Sequence, residues 1–84
     1  MELAKAFGRV LRAHRIERGL TQEQLALETE IRRNYVSMLE LGQHQPTLTM
    51  LFRLSAVLGC RPSDLIIQVE EILHGPAARS RNRK

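Results

Sequence analysis

The side chains best equipped for chemistry crowd into one short stretch. In "EIRRNYVSMLE", residues 30–40, Arg32, Arg33 and Asn34 stand side by side, with Ser37 and Met38 one turn further on. A guanidinium offers five N–H donors in a fixed fork, and a carboxamide offers a donor beside an acceptor. Val36 and Leu39 recur at helical spacing, so one face of this segment is committed to a core. Ser37 and Met38 face away from that stripe, and Tyr35 sits beside it. Other reactive residues do not assemble. His14, His44 and His74 lie far apart, with no cysteine or carboxylate at ligand spacing, so no metal site is expected. No nucleophile–base pair, phosphate loop or pair of carboxylates suggests an enzyme, and no catalytic residue or cofactor is expected. Cys60 is the single cysteine and occupies an apolar position. It reads as a buried, inert thiol, since a redox sensor needs exposure and a lowered pKa. A lone cysteine allows no internal disulfide and points to a reducing compartment.

The elements that position these residues follow from period and punctuation. The chain has 84 residues and 43% hydrophobic content, enough for one modest core. Phe7, Tyr35 and Phe52 are its only aromatics, so Leu, Ile, Val and Ala must fill the interior. No segment alternates with period two, which argues against a sheet and for an all-α fold. Phe7, Val10, Leu11 and His14 mark helix 1, about residues 3–18, with Gly19 as its stop. Thr21 with Gln24 resembles a capping box, and "QEQLALE" follows as helix 2. Helix 3 runs from about residue 32 to 41 and ends at Gly42. "QHQP" is a loop. Thr47 caps helix 4, "LTMLFRLSAVL", which Gly59 ends. Pro62 suits the first turn of helix 5, which reaches His74. Leu65, Ile66, Val69, Ile72 and Leu73 are assigned to one face of helix 5, with Ile67 nearly opposite. Five short helices with short connections make a bundle over residues 1–75. Residues 76–84, with "AARSRNRK" and no apolar anchor, are expected to be a disordered basic tail.

The formal net charge is +4, and all of that excess comes from Arg79, Arg81, Arg83 and Lys84. The rest is neutral by count but polarised, with Lys5, Arg9, Arg12, Arg15, Arg18, Arg32 and Arg33 in the first half and Asp64, Glu70 and Glu71 in the last helix. No apolar run lies between the early charges Glu2, Lys5 and Arg9, so a secretory signal is not expected. The longest apolar stretch is broken by Arg53 and is too short for a bilayer. A cytoplasmic location and no membrane partner follow.

Residues 22–41 have the spacing of a helix-turn-helix: Leu25 and Ala26 in the first helix, Ile31 after the turn, Val36 and Leu39 in the second, with Leu25, Ile31, Val36 and Leu39 expected to be buried between the two helices. Ala26 suits a steep crossing, where only a small side chain fits. The wider pattern, "LRAHRIERGLTQEQLA…IRRNYVSMLELGQHQPTLTMLFRLSAVLG", resembles the Cro/C1-type (lambda-repressor-like, XRE-type) helix-turn-helix domains of bacteria and phages. The resemblance covers about residues 7–74. "GLTQEQLA", the Glu40–Gly42 pair, Pro46 and "AVLG" are its most specific pieces.

The resemblance implies a five-helix DNA-binding domain whose helix 3 enters the major groove of double-stranded DNA. It implies base contacts from Arg33 and Asn34, with Ser37 and Met38 on the same face. Arg can hold guanine O6 and N7 with two hydrogen bonds, and Asn can do the same with adenine N6 and N7. Met38, without a strong donor, is left to a thymine methyl or the sugars. Gln22, Arg32, Gln43, Gln45 and Thr47 match the family's backbone contacts. Arg15 and Glu40 resemble a family ion pair between helix 1 and the end of helix 3. Relatives often dimerise through the last helix, which makes Ile67 a candidate for a homodimer interface. Three positions depart from the family: Glu30 where Gly is usual at the turn, Thr29 at an apolar position, and His14 in place of Leu.

On pattern alone, Arg32 and Arg33 read equally as solvated charges, Arg15 and Glu40 as independent surface charges, and Ile67 as a stray exposed isoleucine. Tyr35 reads as a packing residue with its hydroxyl at the edge, or as a phosphate contact. The expectation is a sequence-specific transcriptional regulator acting as a homodimer, with no small-molecule effector evident. A restriction–modification controller and a phage Cro-like repressor both fit. The alternative is an antitoxin whose main partner is a toxin protein.

Overall fold

The computed structural model describes residues 2–75; the basic tail expected at 76–84 lies outside them. Five helices follow one another: α1 (Glu2–Glu17), α2 (Gln22–Thr29), α3 (Arg33–Glu40), α4 (Leu48–Leu58) and α5 (Pro62–His74). The all-α bundle expected from the sequence is therefore the fold observed, with boundaries shifted by a residue or two. α3 begins at Arg33 because Arg32 is extended, at φ −78° and ψ 144°, and serves as its N-cap.

Local chemistry explains most of these boundaries. Thr21 Oγ1 accepts from the Gln24 amide at 3.0 Å, and Gln24 Oε1 accepts from the Thr21 amide at 2.8 Å. Two first-turn donors are thereby satisfied reciprocally, which starts α2 at Gln22. Thr47 Oγ1 accepts from the Met50 amide at 3.1 Å and starts α4. At the turn between α2 and α3, Glu30 is left-handed, with φ 62° and ψ 42°. It is the one non-glycine residue with positive φ among those described, a conformation that costs a side-chain-bearing residue roughly 1 kcal/mol. Thr29, at the unusual polar position, is buried, and its hydroxyl donates to the Leu25 carbonyl at 2.6 Å. A polar group in the core is thus satisfied locally.

The core is aliphatic. Leu11, Leu25, Val36, Leu39, Leu54 and Leu65 are fully buried, joined by Phe7, Val10, Leu51, Leu58 and Val69. α1 packs against α3 and α5, α2 against α3 and α4, and α4 against α5. Gly8 allows α1 its close approach to α3: a Cβ there would lie 2.5 Å from the carbonyl oxygens of both Leu39 and Glu40. Gly42, at φ 77°, passes equally close to Lys5.

Three side-chain placements differ from the sequence reading. On α5, Leu65 and Val69 are buried, but Ile66 and Ile72 are exposed and Ile67 is half-buried. α5 is covered along a narrow i, i+4 stripe between α1 and α4, and Ile66 and Ile72 flank that stripe on either side. Ile31 is only partly buried against the core. Cys60 is half-buried rather than buried. Desolvation, and then the Asp64 carboxylate, still raise its thiol pKa above the ordinary value, against a smaller opposing effect of Arg18.

Candidate nucleic-acid interface

α3 is amphipathic in the strict sense. Val36 and Leu39 point into the core with no exposure. On the opposite side Arg33 and Asn34 are exposed, and Ser37 and Met38 are half-buried one turn later. The Asn34 amide nitrogen lies 3.7 Å from the Met38 sulfur, a weak N–H···S contact that aligns the two side chains. Leu41, the C-cap, is largely exposed on the same side. Sequence reasoning assigned Leu41 no role, because an apolar residue at a helix end reads as core. Arg32 is exposed just before the helix. Tyr35 is half-buried, with its ring tilted at 50° to the His44 ring and 6.2 Å away. It therefore packs α3 against the following loop.

A part-buried polar network ties the end of α1 and the start of α2 to the last turn of α3. Arg15, near the end of α1, donates from Nε to Glu40 Oε2 at 2.6 Å and from its second terminal nitrogen to Oε1 at 3.1 Å. Its remaining terminal nitrogen donates to the Leu20 carbonyl at 2.8 Å. Gln22 Nε2 donates to Glu40 Oε1 at 3.0 Å. Glu40 thus gathers donors from α1 and α2 onto the last turn of α3, in the bidentate arrangement that suits a guanidinium–carboxylate pair. The family motif paired Arg15 with Glu40. That Gln22 joins them was not legible, because no local pattern reports a contact between residues 18 apart in sequence.

The remaining backbone-contact candidates surround this unit. Arg33 borders a shallow cleft shared with Arg15 and the Gly19–Glu23 segment, so α3 and the first turn of α2 share one surface. Gln43 is exposed after α3, with its amide donating to the Met38 carbonyl at 2.9 Å. Gln45 and Thr47 are exposed in the loop. Thr47 Oγ1 is engaged as the α4 cap, which leaves its own O–H free to donate elsewhere. Among the described residues, no cluster of three His, Cys, Asp or Glu side chains stands close enough to hold a metal ion. No helix among them is long and apolar enough to cross a membrane.

Residues 11–65 match the helix-turn-helix family, across both helices of this unit and the elements that brace it. The chain belongs to the Cro/C1-type helix-turn-helix family. This Cro/C1-type protein is 35% identical over 65 residues to an HTH-type transcriptional regulator of Archaeoglobus fulgidus, covering 77% of this chain and 93% of that one. Its fold is similar to the crystal structure of the clp gene regulator ClgR from Corynebacterium glutamicum, with a TM-score of 0.83, 28% identity, and 94% of this chain and 84% of that chain covered. It is also similar to the restriction–modification controller protein C.AhdI from Aeromonas hydrophila, with a TM-score of 0.72, 35% identity, and 74% and 94% of the two chains covered. This Cro/C1-type protein is a transcriptional regulator built on a helix-turn-helix DNA-binding fold.

Proposed function

We propose that this regulator reads a near-palindromic operator in double-stranded DNA as a homodimer, in the cytoplasm, with α3 of each copy in the major groove. Successive major grooves on one face of the duplex are about 34 Å apart, which fixes the spacing of the two half-sites. Arg33 and Asn34 make the discriminating base contacts, and Ser37 and Met38 read the neighbouring edges and methyl groups. Gln22, Arg32, Gln43, Gln45 and Thr47 hold the phosphates and set the register. Ile67, half-buried on the outer flank of α5, belongs to the surface that pairs two copies.

The observation that carries this reading is the two-faced character of α3. Val36 and Leu39 are wholly buried, while four side chains with base-reading chemistry or shape share the opposite side. The Arg15–Glu40–Gln22 network supports it further, because it holds the first turn of α2 and the end of α3 as one rigid surface. The likeness to C.AhdI favours a regulator acting on DNA over an antitoxin acting mainly on a protein.

Sequencing the DNA that the purified protein enriches from a random pool tests the proposal. Two inverted half-sites with centres about one helical turn apart are expected. Recovery of no enriched sequence would overturn it.

A further inference from the structure

We infer that Lys5, in the first turn of α1, is a phosphate-binding residue of the DNA interface and supplies the cation that the loop after α3 lacks. The inference rests on the proposed placing of α3 and that loop against DNA, and adds to them a residue from another helix. Residues 43–47, "QHQPT", contain no lysine or arginine. Gln43, Gln45 and Thr47 therefore hold a phosphate through neutral donors, whose bonds are weaker than charge-assisted ones. Lys5 lies against the start of this loop. A Cβ at Gly42 would fall 2.6 Å from Lys5 Cγ and 2.8 Å from its Cα, so glycine at that position is what admits the lysine stem.

The direction of the side chain follows from how α1 crosses the end of α3. Gly8 faces the Leu39 and Glu40 carbonyls, and Lys5, nearly one turn earlier, faces Gly42. Moving toward the start of α1 therefore moves forward along the chain into the loop. Leu3 and Phe7 continue the contact, lining one groove with Gln45, Pro46 and Thr47. Cα–Cβ bonds in a helix tilt toward its N-terminus, which aims the Lys5 stem at residues 43–47. The stem packs on Gly42 while the ammonium stays in solvent, the usual division for a lysine, and Lys5 is exposed. Its ammonium makes no ion pair or hydrogen bond with a described residue, Glu2 three positions earlier included. A cation held at its stem and unpaired at its head suits a polyanion. No internal pair has to break, and part of the side-chain entropy is already lost.

Equilibrium binding of the full chain to its selected operator and to random DNA, across a series of salt concentrations, tests the assignment with Lys5→Gln, Lys5→Arg and Arg53→Gln. Each phosphate neutralised contributes about 0.9 to the slope of log affinity against log salt. Lys5→Gln is expected to flatten that slope by about 0.9 per bound chain and to weaken operator and random DNA by the same factor. Base preference and the circular-dichroism melt should not change. Lys5→Arg should keep the wild-type slope. Arg53→Gln removes an equal charge from an exposed position on α4, beside Glu28 and Glu30, and should keep it too. A neutral methylphosphonate moved along each half-site should, at one position, weaken wild type and leave Lys5→Gln unaffected. A Lys5→Gln protein with the wild-type slope, an equal flattening by Arg53→Gln, or no such methylphosphonate position overturns the Lys5 contact and leaves α3 as the base-reading helix. A wild type that enriches no sequence from a random pool overturns the role of α3, whatever the slopes.

Discussion

Removing Glu40 should unfasten the helix-turn-helix from the rest of the molecule. The Glu40 side chain is 3% exposed and that of Arg15 is 11% exposed, so the pair is nearly dry. Glu40→Ala deletes the acceptor of three hydrogen bonds and leaves Arg15 with the Leu20 carbonyl as its remaining hydrogen-bond partner. Stranding one member of a buried ion pair costs about 3–5 kcal/mol. Residual access to water and the Leu20 contact put this case at the low end, about 3 kcal/mol. For a domain of this size, a loss of that order lowers the melting temperature by about 12–24 °C. Thermal melts followed by circular dichroism measure it. The double replacement Arg15→Met with Glu40→Leu should recover most of the loss, because no buried charge is then left unpaired. A Glu40→Ala protein melting within about 3 °C of wild type would show the pair to be as weak as an exposed one. Failure of the double variant to recover would mean that packing, and not the stranded charge, causes the loss.

Two further substitutions test the backbone geometry. Glu30→Gly should raise stability by roughly 1 kcal/mol by removing a side chain from a left-handed turn at φ 62°; a fall in melting temperature would reveal a needed partner for the carboxylate. Gly8→Ala should destabilise by about 1–3 kcal/mol, since its methyl group would meet the Leu39 and Glu40 carbonyls at 2.5 Å; denaturant melts with an unchanged midpoint would show that α1 can move away from α3 without cost.

What the sequence makes legible is mostly local. Thr21 with Gln24, Thr47 and Pro62 act within a turn of themselves, and each starts a helix where its chemistry predicts. Glu30 is recognisable as a left-handed residue because the motif fixes its place in the turn. Positions decided by distant neighbours are not legible. The period of α5 cannot say where α1 and α4 press on it, so Ile66 and Ile72 read as core although they flank the covered stripe. Gly8 looks like a helix-weakening residue until α3 is packed across it. The candidate site divides in the same way. Arg33, Asn34, Ser37 and Met38 are grouped by helical spacing alone, whereas the bond from Gln22 to Glu40 needs the tertiary fold to bring their helices together. Thr29 illustrates a third case, in which a polar residue at an apolar position is made harmless by its own helix through the Leu25 carbonyl.

The central claim is that α3 discriminates base pairs through Arg33. The most direct measurement compares wild type and Arg33→Ala on a selected operator, on the same operator with each base pair replaced in turn, and on random DNA. Loss of a bidentate guanine contact should weaken operator binding by about 1–3 kcal/mol and abolish discrimination at one base pair in each half-site, leaving binding to random DNA nearly unchanged. Equal weakening on operator and random DNA would reassign Arg33 to the phosphate backbone and contradict the role of α3 as the base-reading helix.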